Sequence, residues 1–139
     1  MKLSIEDRLA IAELIQLHGH FTDAGQLHRY PEIFVPDVEY DVTDFGSGVL
    51  RGLAEGEKAA RLFGKSNPVG HHVTNVVVAA EEIEGTVRAS SKGIAINADG
   101  SCASVIYEDL LRRTAVGWRI YARKVLARRT PLGGMFDAP

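Results

Sequence analysis

Apolar side chains recur at Ile5, Leu9, Ala12 and Ile15, and Ile11, Leu14 and Leu17 widen the same stripe. That spacing marks one face of an α-helix. Ser4, with Asp7 three residues on, supplies a side-chain cap and an acid for the first turn. The pattern predicts a first helix that runs to about Ala24 and stops near Gly25. Tyr30 and Pro31 open a short helical turn through Phe34. From Val38 to Val42 apolar and polar residues alternate, as on a half-buried strand. Gly46, Ser47 and Gly48 turn that strand back into "VLRG". Residues 53–64 read as a second helix that tolerates Gly56 and ends near Gly64.

Beyond residue 70 the pattern changes to strands. The first covers about 71–79, opening on His71 and His72 and running into Val73, Val76, Val77 and Val78. "TVRASSKGIAI" is the next, and "NADG" at 97–100 is a hairpin turn. "SCASVIYEDLLRRT" returns, "AVG" turns again, and "WRIYARKVLARR" is the last long strand before the tail "TPLGGMFDAP". Helices first and an antiparallel meander afterwards predict an α+β fold, with helices packed on one face of a curved sheet. No repeat or linker breaks the chain, so residues 1–139 are expected to form one domain.

Composition narrows the function classes. The 139 residues are 45% hydrophobic and 24% charged, a soluble globular balance. A formal net charge of -2 argues against a general affinity for nucleic acid or for an anionic membrane surface. Cys102 is the single cysteine, which excludes an intrachain disulfide and suits a reducing, cytoplasmic compartment. The first 18 residues carry Glu6, Asp7 and Glu13, unlike a signal peptide, and no run is long and apolar enough to span a bilayer.

The candidate chemistry centres on a few polar residues. Asp23 falls in the last turn of the first helix, where a carboxylate meets the negative end of the helix dipole. A solvated acid at a frayed helix end is the plain alternative. His71 and His72 are strand neighbours and point to opposite faces, so the two imidazoles cannot share one environment. Neither belongs to a metal motif, and His18, His20 and His28 would join a three-histidine site only through the tertiary fold. Tyr40, Phe45, Tyr107, Trp118 and Tyr121 are core candidates, but a tyrosine on the concave side of the sheet would turn its hydroxyl toward a ligand. Seven late cations, from Arg112 to Arg129, divide between sheet faces, and one of them is available to bind an anionic group. There is no dinucleotide fingerprint, phosphate loop or nucleophile elbow.

Three segments together resemble the SnoaL-like branch of the nuclear-transport-factor-like superfamily: "FTDAGQLHRYPEIFVPDVEYD", "HHVTNVVV" and "YEDLLRRTAVGWRIYARKV". Within it the likeness is to scytalone dehydratase, bile-acid 7α-dehydratase and hexachlorocyclohexane dehydrochlorinase. The resemblance implies a cone-shaped α+β barrel, with N-terminal helices on a strongly curved, mostly antiparallel sheet. It also implies a cofactor-free lyase built on an Asp–His pair in an apolar cone, assembled as a homodimer or homotrimer. Asp23 matches the family's aspartate, while His71 and Asn75 match its His–x–x–x–Asn strand. Arg113 is the closest match to a pocket arginine, with Arg112 beside it, and the tail looks like a pocket-covering segment.

These readings assign His71 as a general base acting on a carbon acid, with Asp23 orienting the ring. Tyr40, Tyr107, Asn75, Arg113 and His72 are the expected contacts to a small hydrophobic cyclic substrate. His72 stays on that list because a bulge near Pro68-Val69-Gly70 would exchange the two histidines' faces. Strand parity otherwise puts His71, Val73, Asn75 and Val77 on one face. Elimination, isomerisation and cyclisation share these groups; a cyclase would draw its acid from Asp109 or Glu108. A ligand carrier or assembly subunit of the same fold is the non-enzymatic alternative.

Overall fold

The computed structural model describes residues 2–79, 83 and 85–136. Two α-helices, α1 (Ile5–Asp23) and α2 (Leu53–Phe63), pack on a sheet of six strands. The strands are β1 (Phe34–Asp41), β2 (Val49–Arg51), β3 (Gly70–Val78), β4 (Thr86–Ile96), β5 (Cys102–Thr114) and β6 (Gly117–Arg128), in the spatial order β2-β1-β6-β5-β4-β3. Each pairing is antiparallel except that of β1 with β6, which is parallel. The α+β expectation is met, and all four antiparallel partnerships join strands adjacent in sequence.

The start of α1 is fixed by the expected cap, with the Ser4 side chain accepting the backbone N–H of Asp7 at 3.0 Å. Asp7 in turn accepts from the indole N–H of Trp118 at 3.0 Å and from the Arg113 guanidinium at 2.9 Å. These bonds tie the helix start to the β5–β6 hairpin. The buried face of α1 carries Ile11, Leu14, Ile15, His18 and Phe21, and it lies on the concave side of the sheet with Phe34, Val38, Val87, Leu111 and Ile120.

Two local departures from the sequence pattern matter for the site. β1 begins at Phe34, where the sequence predicts the end of a helical turn and a strand only from Val38. Phe34 is fully buried and sits opposite Ile120 of β6, so tertiary pairing recruits it into the sheet, and the ladder shifts register between Phe34 and Glu39, a stretch that holds Pro36. In β3 the register shifts between Thr74 and Val77, so that Asn75 and Val76 oppose Ser91 alone on β4, and Asn75 there has a φ of 54°. This bulge moves the inward face from His71 and Val73 to Val76 and Val78, which pack on the core.

Candidate active site

Asp23 is the last residue of α1 and His71 the second of β3. The Asp23 Oδ1 lies 2.7 Å from His71 Nδ1, and its Oδ2 accepts the His71 backbone N–H at 2.9 Å. An ionised carboxylate only accepts hydrogen bonds, so Nδ1 carries the proton of the neutral ring and Nε2 keeps its lone pair. The approach depends on Gly19. A Cβ added there would stand 2.4 Å from the His71 carbonyl oxygen. The bare backbone lets α1 ride against the start of β3, and one turn later Asp23 reaches His71. Both bonds from His71 offset the poor placement of an acid at the negative end of a helix.

His71 stands on the wall of a cavity of about 420 Å³, with Asp23 behind it. Its floor and sides come from the concave sheet, with Phe34, Val38, Tyr40, Val105, Tyr107 and Val125. The opposite wall is α2, through Leu53, Gly56, Ala60 and Phe63. No residue of α2 is buried, and this helix, with Leu53 packed against the core, covers the cavity from outside. The His71 side chain is 15% exposed and that of Asp23 31%.

Beneath the cavity lies an ion pair without solvent contact. Arg123 donates from Nε and Nη2 to the two Asp109 oxygens at 2.6 and 2.8 Å, and both side chains are fully buried. Burial works against the Arg123 charge, but Asp109 more than offsets it and the guanidinium is held firmly protonated. His18 faces the same interior, 5% exposed, with its ring centroid 6.3 Å from that of His71. Burial first, then the charges of Arg123 and His71, push the His18 imidazole well below its usual range and keep it neutral. Tyr30 is pushed up to about 12, chiefly by burial. Its hydroxyl shares a short hydrogen bond with the Thr22 hydroxyl, which donates to the His18 carbonyl at 2.7 Å. Burial likewise raises Tyr40 and Tyr107, so both keep their protons as donors.

Of the residues singled out in the sequence, His71, Tyr40 and Tyr107 line the cavity and Asp23 backs His71. The other three expected contacts are corrected by the structure. His72 is exposed, as strand alternation from His71 requires, and does not line the cavity. Asn75 occupies the bulge and is exposed, because the extra residue there breaks its parity with His71. Arg113 lies outside, 4.5 Å over the Trp118 ring and paired with Asp7 at the far end of α1. The tail, as far as Phe136, leaves Leu132, Met135 and Phe136 exposed and contributes nothing to the cavity lining; residues 137–139 are outside the described residues. Asp109 is locked to Arg123, and Glu108 is exposed, so neither is placed for the proton transfer of a cyclase.

Sequence reasoning missed His18, Thr22, Tyr30 and the inward turn of Arg123. A signal for His18 and Thr22 was present: they precede Asp23 by five residues and one, on the helix stripe that holds Ile11, Leu14 and Ile15. Among the described residues no cluster of His, Cys, Asp and Glu is suited to a metal ion. Among the same residues no helix is long and apolar enough to cross a membrane.

A family model described as a SnoaL-like domain matches residues 3–124. No curated protein matches the chain. The crystal structure of LinA superposes with a TM-score of 0.76 at 20% identity, over 97% of this chain and 95% of that one. An NTF2-like protein with a cystatin-like fold from Novosphingobium aromaticivorans gives 0.76 at 24% identity, over 92% and 86% of the two chains. A protein from the same organism provisionally named a scytalone dehydratase gives 0.74 at 17% identity, over 90% and 86%. At these identities the likeness is one of fold.

Proposed function

This chain belongs to the SnoaL-like domain family, and on that footing we propose that it is a cofactor-independent lyase of the dehydratase type, or an isomerase, acting on a small hydrophobic cyclic compound. The observation that carries the reading is His71 on the wall of a largely apolar cavity, held from behind by Asp23. A cavity of about 420 Å³ suits a compound of one or two rings.

In this reading His71 Nε2 removes a proton from a carbon next to a carbonyl group. Asp23 accepts the Nδ1–H throughout, which fixes the tautomer and stabilises the imidazolium that forms. The released electron pair forms a carbon–carbon double bond as a hydroxyl leaves the adjacent carbon. The imidazolium returns its proton to that hydroxyl, so water departs and the base is restored. Returning the proton to a different carbon gives isomerisation instead. Tyr40 and Tyr107, kept protonated by burial, are suited to hydrogen-bond the oxygen on which charge develops. The expected homodimer or homotrimer belongs to the same proposal, and light scattering on the purified protein checks it.

Turnover of hydroxylated one- and two-ring ketones tests the reading. For a substrate the protein converts, His71→Ala is expected to lower kcat by about a hundred- to ten-thousand-fold, the size of a general-base contribution. Asp23→Asn should lower it as well, with less effect on KM. A ligand carrier needs the cavity and not the pair; it would bind such ketones without converting any.

A further inference from the structure

Three buried polar atoms among the described residues have no hydrogen-bond partner: His18 Nδ1, Ser91 Oγ and Arg123 Nη1. They are gathered around one side chain. The His18 ring centroid is 6.1 Å from that of Tyr107, the Arg123 guanidinium lies 4.5 Å over the same ring, and Ser91 is the cross-strand partner of Tyr107. Buried groups of this kind are normally satisfied, so such a cluster calls for a partner. Of the three residues, only His18 lines the cavity. The one charge in the cluster is that of Arg123, and Asp109 already answers it with both oxygens.

We infer that His18 is a substrate-contacting residue whose imidazole hydrogen-bonds an uncharged oxygen, a carbonyl or hydroxyl, of a ring compound held against His71. The placement of the reacting carbon rests on the proposed Asp–His base; the contact to His18 does not. Ring centroids 6.3 Å apart leave His18 and His71 within reach of two positions on one ring system. A second positive charge so close to an imidazolium is opposed by Coulomb repulsion, as well as by burial. His18 therefore remains neutral while His71 holds the proton, and its part is to orient and polarise, not to deliver a proton. A neutral imidazole offers one donor and one acceptor, which suits either a carbonyl or a hydroxyl. An anionic group finds no unmatched cation here, so the site selects against carboxylates.

The test is binding of four small probes: 1-tetralone, 2-naphthol, naphthalene and 2-naphthoate. Wild-type protein is expected to bind the ketone and the naphthol about tenfold or more tighter than naphthalene, the worth of one buried hydrogen bond, and 2-naphthoate weakest. His18→Phe should bring the naphthol and naphthalene affinities together, while His18→Gln keeps part of the preference. Asp23→Asn and His71→Ala should leave the preference in place, which separates this inference from the fate of the dyad. Ring ¹⁵N resonances of the wild-type protein give a second readout that needs no folded variant: the His18 nitrogens should shift on adding 2-naphthol. A preference that survives His18→Phe, a His18 resonance unmoved by 2-naphthol, or failure of both oxygenated probes to bind would overturn the inference.

Discussion

At the scale of single residues, the charges that matter are those with fixed partners. Asp7 joins the cap of α1 to Trp118 and Arg113, and those bonds hold its carboxyl at about 2 against an ordinary 3.8. The folded state thus binds the Asp7 proton less readily than the unfolded chain does. Its contribution to stability is present above pH 3.8 and is lost as pH falls toward 2. Thermal unfolding of Asp7→Asn should be less stable than wild type at neutral pH, and the difference should close across that acid window. Asp109 and Arg123 pose a different case, since neither touches solvent. Asp109→Asn leaves a buried guanidinium without its counter-charge and is expected to cost about 3–5 kcal/mol in urea unfolding. His18 adds a third pH dependence. Its imidazole stays neutral when folded but takes up a proton when unfolded, so stability falls as pH drops below about 6.5. The wild-type slope below that pH should exceed that of His18→Phe by up to about 1.4 kcal/mol per pH unit, one proton's worth.

At the scale of elements, the site depends on how α1 meets β3. Gly19→Ala would ordinarily favour a helix by up to about 1 kcal/mol. Here the new methyl would meet the His71 carbonyl at 2.4 Å, so the helix or the strand must move. The expected outcome is a protein destabilised by about 1–3 kcal/mol, as for overpacking in a core, with turnover reduced because Asp23 and His71 separate. Urea unfolding and turnover on the same sample check both halves. The elements themselves were legible in the sequence, because helix and strand periods are local properties of the apolar pattern. What parity misread were side-chain directions past a bulge. The bulge at Asn75 turned that residue out of the site. The register of β6 also shifts, with Ile120 and Ala122 opposite the neighbours Leu111 and Leu110, so Ile120 and Arg123 both turn inward. Alternation would have put them on opposite faces, so the pattern gave no sign that Arg123 lies beneath the cavity, while Arg113 was singled out by the resemblance alone. The Asp23–His71 contact spans 48 residues, and no local pattern encodes such a distance; the family resemblance supplied it.

At the scale of the whole molecule, the strongly curved sheet and α1 build the rigid side of the cavity, and α2 closes it without contributing a buried side chain. That division suits a site whose reacting groups are preorganised and whose cover is held by few core contacts. The central claim is that His71 on this wall, backed by Asp23, removes a proton from carbon. Exchange of the α-protons of 1-tetralone in D₂O, followed by ¹H NMR, tests that claim directly, because proton removal is detected without a leaving group. Wild-type protein is expected to accelerate the exchange over buffer, with His71→Ala losing at least about a hundredfold of the acceleration and Asp23→Asn a smaller share. Exchange by His71→Ala at the wild-type rate, or no acceleration by the wild-type protein, would contradict the account.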